Sequence, residues 1–306
     1  MDVVDVHQVH QVHNVHIVPF PYTRARMLRR LFLLLSLFAI ACGESQKPAV
    51  TDGLGRSVVL PRRVERVVTL APNLTEIVFA VGAGEKIVGT DDYSNFPAAA
   101  RAIAKVGGMQ PNVEKIAALK PDLVLASSEG NHPSLAPALA AAGIPLYVVR
   151  TDRLNEIAPA MTTVGEILDA PNTSDAVLEL ERDVAAQRRT RTRKPRAMFA
   201  VWVDPLYVGG RATFTDDLLT LAGAQNAVRV TGWPQYSLES LLAAPPDLIL
   251  YPRGAVTPQQ IEALQKRVPE LHATIVPVDE DIFQRPGPRV AQAARALNAI
   301  LDQWER

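Results

Sequence analysis

Cysteine is nearly absent from this chain. Cys42 is the only one in 306 residues, so no intramolecular disulfide can brace the fold, and a lone thiol in an exported chain wants its own explanation. Histidine is scarce after the N-terminal segment, where only His132 and His272 remain. A tightly held transition metal wants several His, Cys or carboxylate ligands together, so no metal centre is expected. Net charge is missing as well: 32 Lys and Arg balance 32 Asp and Glu, which leaves no basic field for nucleic acid. The apolar run Leu31–Ala41 (LFLLLSLFAIA) has eleven residues, well short of the ~20 that span a bilayer as a helix. No strand-following G-x-G-x-x-G, P-loop, G-x-S-x-G or H-E-x-x-H pattern occurs. The carboxylates form no interpretable acid–base pair by spacing. Catalysis therefore starts poorly, and we expect no enzyme and no cofactor.

What is present is a repetition. Asn112–Leu125 reads NVEKIAALKPDLVL and Ser237–Leu250 reads SLESLLAAPPDLIL. Each copy has a capping Asn or Ser, a Glu two residues later, an apolar helix face, then Pro-Asp and a short apolar strand. Thr75–Val88 (TEIVFAVGAGEKIV) repeats in the same way as Thr215–Val228 (TDDLLTLAGAQNAV). A helix–strand unit written twice at such a distance predicts two similar lobes, and a cleft between lobes is a default ligand site.

Between these copies, strand and helix patterns alternate, with Gly84 reading as the C-cap of the helix that opens near Thr75. Such alternation predicts an α/β fold with mainly parallel sheets covered by helices. Ser174–Arg191 is long, polar and charged, and reads as a connector helix between lobes. The N-terminus carries an export pattern: basic Met27–Arg30, the apolar run, then Ala39-Ile-Ala-Cys42. This is similar to a lipobox, in which Cys42 would be lipidated; an ordinary signal peptide cut nearby is the alternative. His7, His10, His13 and His16, three apart, read either as a metal-binding tract or as part of a misassigned upstream extension; we favour the second. The expected organisation is an extension over 1–26, a lipoprotein signal over 27–41, a tether over 42–50, an N-terminal lobe over 51–168, a connector helix over 169–195 and a C-terminal lobe over 196–306.

With these features together, the chain resembles the helical-backbone periplasmic binding proteins, the solute receptors of ABC importers for cobalamin, ferric siderophores and haem. Within that group it looks most like the cobalamin receptors. The carriers of the resemblance are Tyr93-Ser-Asn-Phe-Pro97, Pro121-Asp-Leu-Val-Leu125, Gly232-Trp-Pro-Gln235 followed by Glu239, and Asp281-Ile-Phe-Gln-Arg285 with Gly287-Pro-Arg289. The family departs from this chain at Val106–Gln110, where a Trp is frequent and Met109 stands instead.

The resemblance implies a corrinoid lying flat in the cleft, lined by Tyr93 from the first lobe, Tyr207 and Trp233 from the second, and Asp281 and Arg285 near the rim. It also implies that Glu114 and Glu239 dock one lobe each onto an ABC permease dimer with its ATPase. Simpler readings stand beside these. Tyr93 could pack on its own lobe, Trp233 could plug a turn, and Asp281–Arg285 could be a local ion pair. Either Glu could merely suit a helix dipole. The expected protein is a monomer, held at the periplasm or cell surface by the lipid on Cys42, that carries cobalamin or a related corrinoid. Haem or a ferric siderophore is the alternative cargo.

Overall fold

The computed structural model describes residues 49–130 and 134–306. The predicted extension, signal segment and Cys42 lie outside the described residues, as does His132. Among the described residues no helix is long and apolar enough to cross a membrane.

A short antiparallel hairpin opens the described chain, β1 (Val50–Thr51) with β2 (Ser57–Val58). The first lobe follows as β3 (Val67–Thr69), α1 (Pro72–Ala80), β4 (Ile87–Thr90), α2 (Val113–Ala118), β5 (Leu123–Ser127), α3 (Leu135–Ala141) and β6 (Leu146–Val149). Two helices then link the lobes: α4 (Ile157–Ile167) and the connector α5 (Thr173–Ala186). The second lobe contains β7 (Arg196–Val203), β8 (Leu206–Val208), α6 (Phe214–Leu221), β9 (Gln225–Asn226), α7 (Leu238–Ala243), β10 (Leu248–Arg253), α8 (Pro258–Arg267), β11 (Thr274–Asp279), α9 (Glu280–Phe283) and α10 (Val290–Trp304).

The two sheets share one topology. The first runs β4-β3-β5-β6 and the second β9-β7-β10-β11, all parallel, with β8 added antiparallel on β7. The predicted fold, two similar βα lobes with mainly parallel sheets, is what the chain adopts. The repeated Pro-Asp has the same task in each lobe. Asp122 accepts from the backbone N–H of Glu65 and Arg66, both at 2.8 Å. Asp247 accepts from the N–H of Arg196 at 2.8 Å. Each Asp thus ties the entry of the lobe's first strand to the entry of its third parallel strand, β5 or β10. The arginine at that entry closes the tie from the other side. Arg66 donates to the carbonyls of Leu119 and Lys120, and Arg196 to those of Ala244 and Pro245, the carbonyls left open just past a helix end.

Gly84 does not cap α1. The helix ends at Gly82, which takes φ +86°. Its N–H bonds the Phe79 carbonyl while the Ala83 N–H bonds that of Val78, a Schellman arrangement that favours glycine. Gly223 (φ +76°) ends α6 identically, with Ala224 bonded to Leu219. The ungapped match of Thr75–Val88 to Thr215–Val228 is therefore out of register by one residue at this cap.

The connector helix stops at Ala186, five residues before the predicted Arg191. Tertiary contacts outweigh helix propensity there. The Arg189 N–H bonds the Leu221 carbonyl, and the Arg191 guanidinium enters the second lobe, reaching the Ala222 carbonyl at 2.8 Å, Asp302 at 2.7 Å and Glu305 at 3.0 Å. One continuous apolar core runs from the first sheet through α1, α4 and the connector's Leu180 to α6, α10 and the second sheet. Two smaller clusters fill the outer faces, one per lobe.

Removal of Asp122 or Asp247 is expected to cost similar stability, because each carboxylate satisfies backbone donors at a strand entry. Asp122→Ala and Asp247→Ala should each lose roughly 1.5–3 kcal/mol in urea unfolding. A loss confined to one of the two would contradict the equivalence.

Candidate functional site

A cleft of about 570 Å³ lies between the lobes. Its walls are the C-terminal ends of strands from both sheets. Leu70–Asn73 follow β3, Asp91 and Tyr93 follow β4, Ser127 ends β5, Gly254 follows β10 and Glu280–Pro286 follow β11. Ligands of open α/β sheets bind in crevices at such strand ends. A second cavity of about 590 Å³ flanks the connector, with walls built from helical segments such as Ala158, Leu180, Val184 and Leu221. It borders no strand end, so the inter-lobe cleft is the candidate site.

On the first lobe, Asp91 organises the turn that presents Tyr93. Asp91 is 1% exposed. One oxygen accepts from the Tyr93 N–H at 3.0 Å and the other from the Ser94 hydroxyl, the local bonding that makes Asp a turn former. Burial pushes the Asp91 carboxyl up, while those two donors, Lys105 and Arg285 pull it back. The Tyr93 ring stays 55% exposed at the cleft. It packs close to Gly108, where a Cβ would stand 2.9 Å from the Tyr93 hydroxyl and would displace the ring. Met109, in the segment where the family frequently has Trp, lines the cleft and is 71% exposed.

On the second lobe, Asp281 and Arg285 line the cleft, but their polar atoms already have protein partners. Arg285 pairs with Asp281 and donates to Asn95 Oδ1 at 2.7 Å, Glu76 Oε1 at 3.3 Å and the Tyr93 carbonyl at 3.3 Å. Asn95 Nδ2 donates to Asp281 at 3.0 Å. The pair is thus not merely local: it crosses the cleft floor from one lobe to the other. Behind it, Arg289 makes a fork onto Glu76, Nε to Oε2 at 2.8 Å and Nη2 to Oε1 at 2.6 Å.

Trp233 also crosses between lobes, its indole N–H donating to Glu129 Oε1 at 2.9 Å. Beside it lies a hollow of about 230 Å³ lined by Phe199, Phe214, Phe283 and Glu129. Glu129 is exposed toward solvent, yet the protein around it pushes its carboxyl up, the Trp233 N–H opposes, and Asp152 and Glu156 add to the upward push. Tyr207 lines neither the cleft nor this hollow. It stands on β8 in register with Trp202 and bridges to Gln235. Glu76, Asn95 and Glu129 were not singled out from sequence. Glu76 had a readable signal, a charge between Thr75 and Ile77 on a buried helix face. Glu129 had a weaker one, a charge just past an apolar strand.

The cleft's charge is one-sided. Among the described residues, Asp91, Glu129, Glu280 and Asp281 line it against a single cation, Arg285. Among the described residues no group of three or more His, Cys, Asp or Glu could hold a metal ion.

Glu114 and Glu239 each sit in the first turn of a short helix, exposed. Asn112 caps the first helix by accepting from the Lys115 N–H at 2.7 Å, and Ser237 the second by accepting from the Ser240 N–H at 3.1 Å. The Glu239 carboxyl is held low by its own backbone N–H and then by the Ser237 side chain.

Over residues 67–277 the chain matches the family model described as periplasmic binding protein. It is 30% identical over 239 residues to the vitamin B12-binding protein of Yersinia pestis (strain Pestoides F), covering 76% of this chain and 85% of that one. It is also similar to the crystal structure of the periplasmic vitamin B12 binding protein BtuF of Vibrio cholerae, with TM-score 0.64 and 25% identity over 79% of this chain and 98% of that one. A periplasmic heme binding protein from Pseudomonas aeruginosa gives TM-score 0.68 and 27% identity, covering 78% and 92%.

The raised Asp91 carboxyl has a signed consequence. The folded chain holds this proton more tightly than the unfolded chain, so the contribution of Asp91 to stability falls as pH rises from 3.8 through the raised value. Asp91→Asn is expected to flatten that part of the stability profile in thermal melts from about pH 4 to 7. An unchanged slope would exclude Asp91 as its source.

Proposed function

The chain belongs to the periplasmic binding protein family, and we propose that it captures cobalamin or a related corrinoid in the inter-lobe cleft and delivers it to an ABC importer. The observation that carries this reading is the charge of the cleft. Among the described residues four carboxylates line it, and the one arginine there is already paired with Asp281 and bonded to Asn95. A corrin ring is edged with neutral carboxamides, whose N–H groups donate to carboxylates and whose carbonyls accept from an amide such as that of the exposed Gln284. Tyr93 and Met109 offer apolar surface for the ring face. The 30% identity to a vitamin B12-binding protein supports the same cargo.

Haem is the second reading, and Tyr93 favours it. Its phenol is the only one among the described residues that line the cleft and could take an axial position. Against it stand two propionates, which would meet the lining carboxylates with like charge at close range. A ferric siderophore finds no free cationic cluster among the described residues that line the cleft.

The same reading gives the exposed Glu114 and Glu239 a task. One carboxylate per lobe, each two residues past a helix cap, would seat the receptor on paired cationic sites of a permease dimer. Lipidation of Cys42 would hold the receptor at the membrane, and no cofactor beyond the carried ligand is invoked.

Calorimetric titration of the purified chain with cyanocobalamin, haem and ferric hydroxamate tests the cargo. Cyanocobalamin should bind with a Kd of about micromolar or tighter, at least tenfold below haem. The reverse order would assign the cleft to haem. For delivery, Glu114→Ala combined with Glu239→Ala should leave that Kd unchanged and abolish uptake in cells lacking any other receptor. Normal uptake by the double variant would refute docking through these residues.

A further inference from the structure

We propose that Glu76 is a positioning residue for the cleft: it fixes the angle between the lobes and, through two arginines, the placement of Asp281 and the Tyr93 turn. The proposal rests on the cleft being the ligand site. Glu76 does not line the cleft. It lies on α1, 3% exposed, between Thr75 and Ile77, which are fully buried. A carboxylate in such a place is unfavourable without charged partners. Both of its partners come from the other lobe, more than 200 residues later in the chain. Arg289 reaches it with two bonds at 2.6 and 2.8 Å, and Arg285 with one at 3.3 Å. The side chains of the three groups are 2%, 13% and 12% exposed.

From this carboxylate the bonding spreads outward to the cleft wall. Arg289 donates to the Asp281 carbonyl at 3.0 Å and stands 4.2 Å over the Phe96 ring. Arg285 donates to Asn95 and the Tyr93 carbonyl, and Asn95 donates back to Asp281. Three of the residues predicted from sequence to meet the ligand, Tyr93, Asp281 and Arg285, are therefore tied, directly or through one arginine, to an anion that does not line the cleft. The other cross-lobe ties are fewer or wetter. Asn73 donates to the Pro286 carbonyl, Trp233 meets the exposed Glu129, and the Arg153–Asp217 pair is 38% and 18% exposed. Without the Glu76 charge, Arg289 would lose the only carboxylate it is seen to bond and Arg285 would keep Asp281 with the more distant Asp91, so that the lower-energy course of Arg289 is toward water.

The test uses the full chain with Cys42→Ser and one spin label per lobe, at the exposed sites Ala118→Cys and Gln265→Cys. Glu76→Gln keeps size and removes charge; Arg289→Lys keeps charge and removes the fork, and replaces the first variant if that one fails to fold. The parent should give one narrow inter-lobe distance, and each variant a shifted or broadened one. Cyanocobalamin affinity, measured well below the melting temperature, should fall at least tenfold. A pair that only stabilises the fold would lower the melting temperature and leave both readouts unchanged. An unchanged distance distribution overturns the proposal, and so does a changed distribution with unchanged affinity. If the parent itself fails to bind cyanocobalamin, the cargo reading fails, and the distance measurement alone decides the role of Glu76.

Discussion

Two lobes of one chain must be held at a fixed separation by something stiffer than their linker, and here a buried ion cluster does so. Glu76 takes three hydrogen bonds from Arg285 and Arg289 with almost no access to water. Such a cluster is poor evidence for stability, because desolvating the charges offsets much of their attraction. Its value lies in geometry. The guanidinium fork allows few orientations, and further donors of the cluster reach the carbonyls of Tyr93 and Asp281, both of which border the cleft. With its one cysteine outside the described residues, this region has no disulfide to do the same work.

The two lobes share topology, strand-entry ties and helix caps, and they diverge where the site is. After β4 the first lobe turns through Asp91 and Tyr93 and presents carboxylate and phenol. The second lobe inserts β8 and the loop bearing Trp233, and behind that loop Phe199 and Phe283 stack at 6.1 Å. Duplication supplied two equivalent frames. The cleft became unlike on its two sides because the loops at the strand ends can change without disturbing the Asp122 and Asp247 ties beneath them.

Much of the frame was legible because it is local. Asn112 and Ser237 announce helix starts, and Pro-Asp announces strand entries. The cap at Gly82 was misread as Gly84 because both glycines lie within a turn, and only the hydrogen bonds of Ala83 distinguish them. The connector's end was misread for a tertiary reason: Arg191 looks like a last polar turn until its guanidinium is seen to reach Ala222, Asp302 and Glu305. β8 and α9 were missed because three- and four-residue elements have no period to detect. The site was legible as a set of residue types and not as a circuit. Tyr93, Asp281 and Arg285 could be picked out, but the bonds that join them run through Asn95 and Glu76, which no spacing rule links to residues some 190 and 209 positions away.

Selection of cargo follows from side chains rather than from the scaffold. Proteins named for vitamin B12 and for heme resemble this backbone almost equally, at TM-scores of 0.64 and 0.68, so backbone shape cannot separate the ligands. Both are broad, flat macrocycles, and aromatic or thioether contact from Tyr93 and Met109 would serve either. They differ at the edge, where one carries neutral amides and the other carboxylates. On the proposed reading, a cleft lined by Asp91, Glu129, Glu280 and Asp281, with its arginine already committed, would discriminate at that edge. Burial sharpens the difference, because a second anion beside Asp91 would face it with little water to screen the repulsion. A haem receptor on this frame would need at least one cation free of Glu76 and Asp281, and the same cluster that sets the lobe angle keeps Arg285 and Arg289 from serving as one.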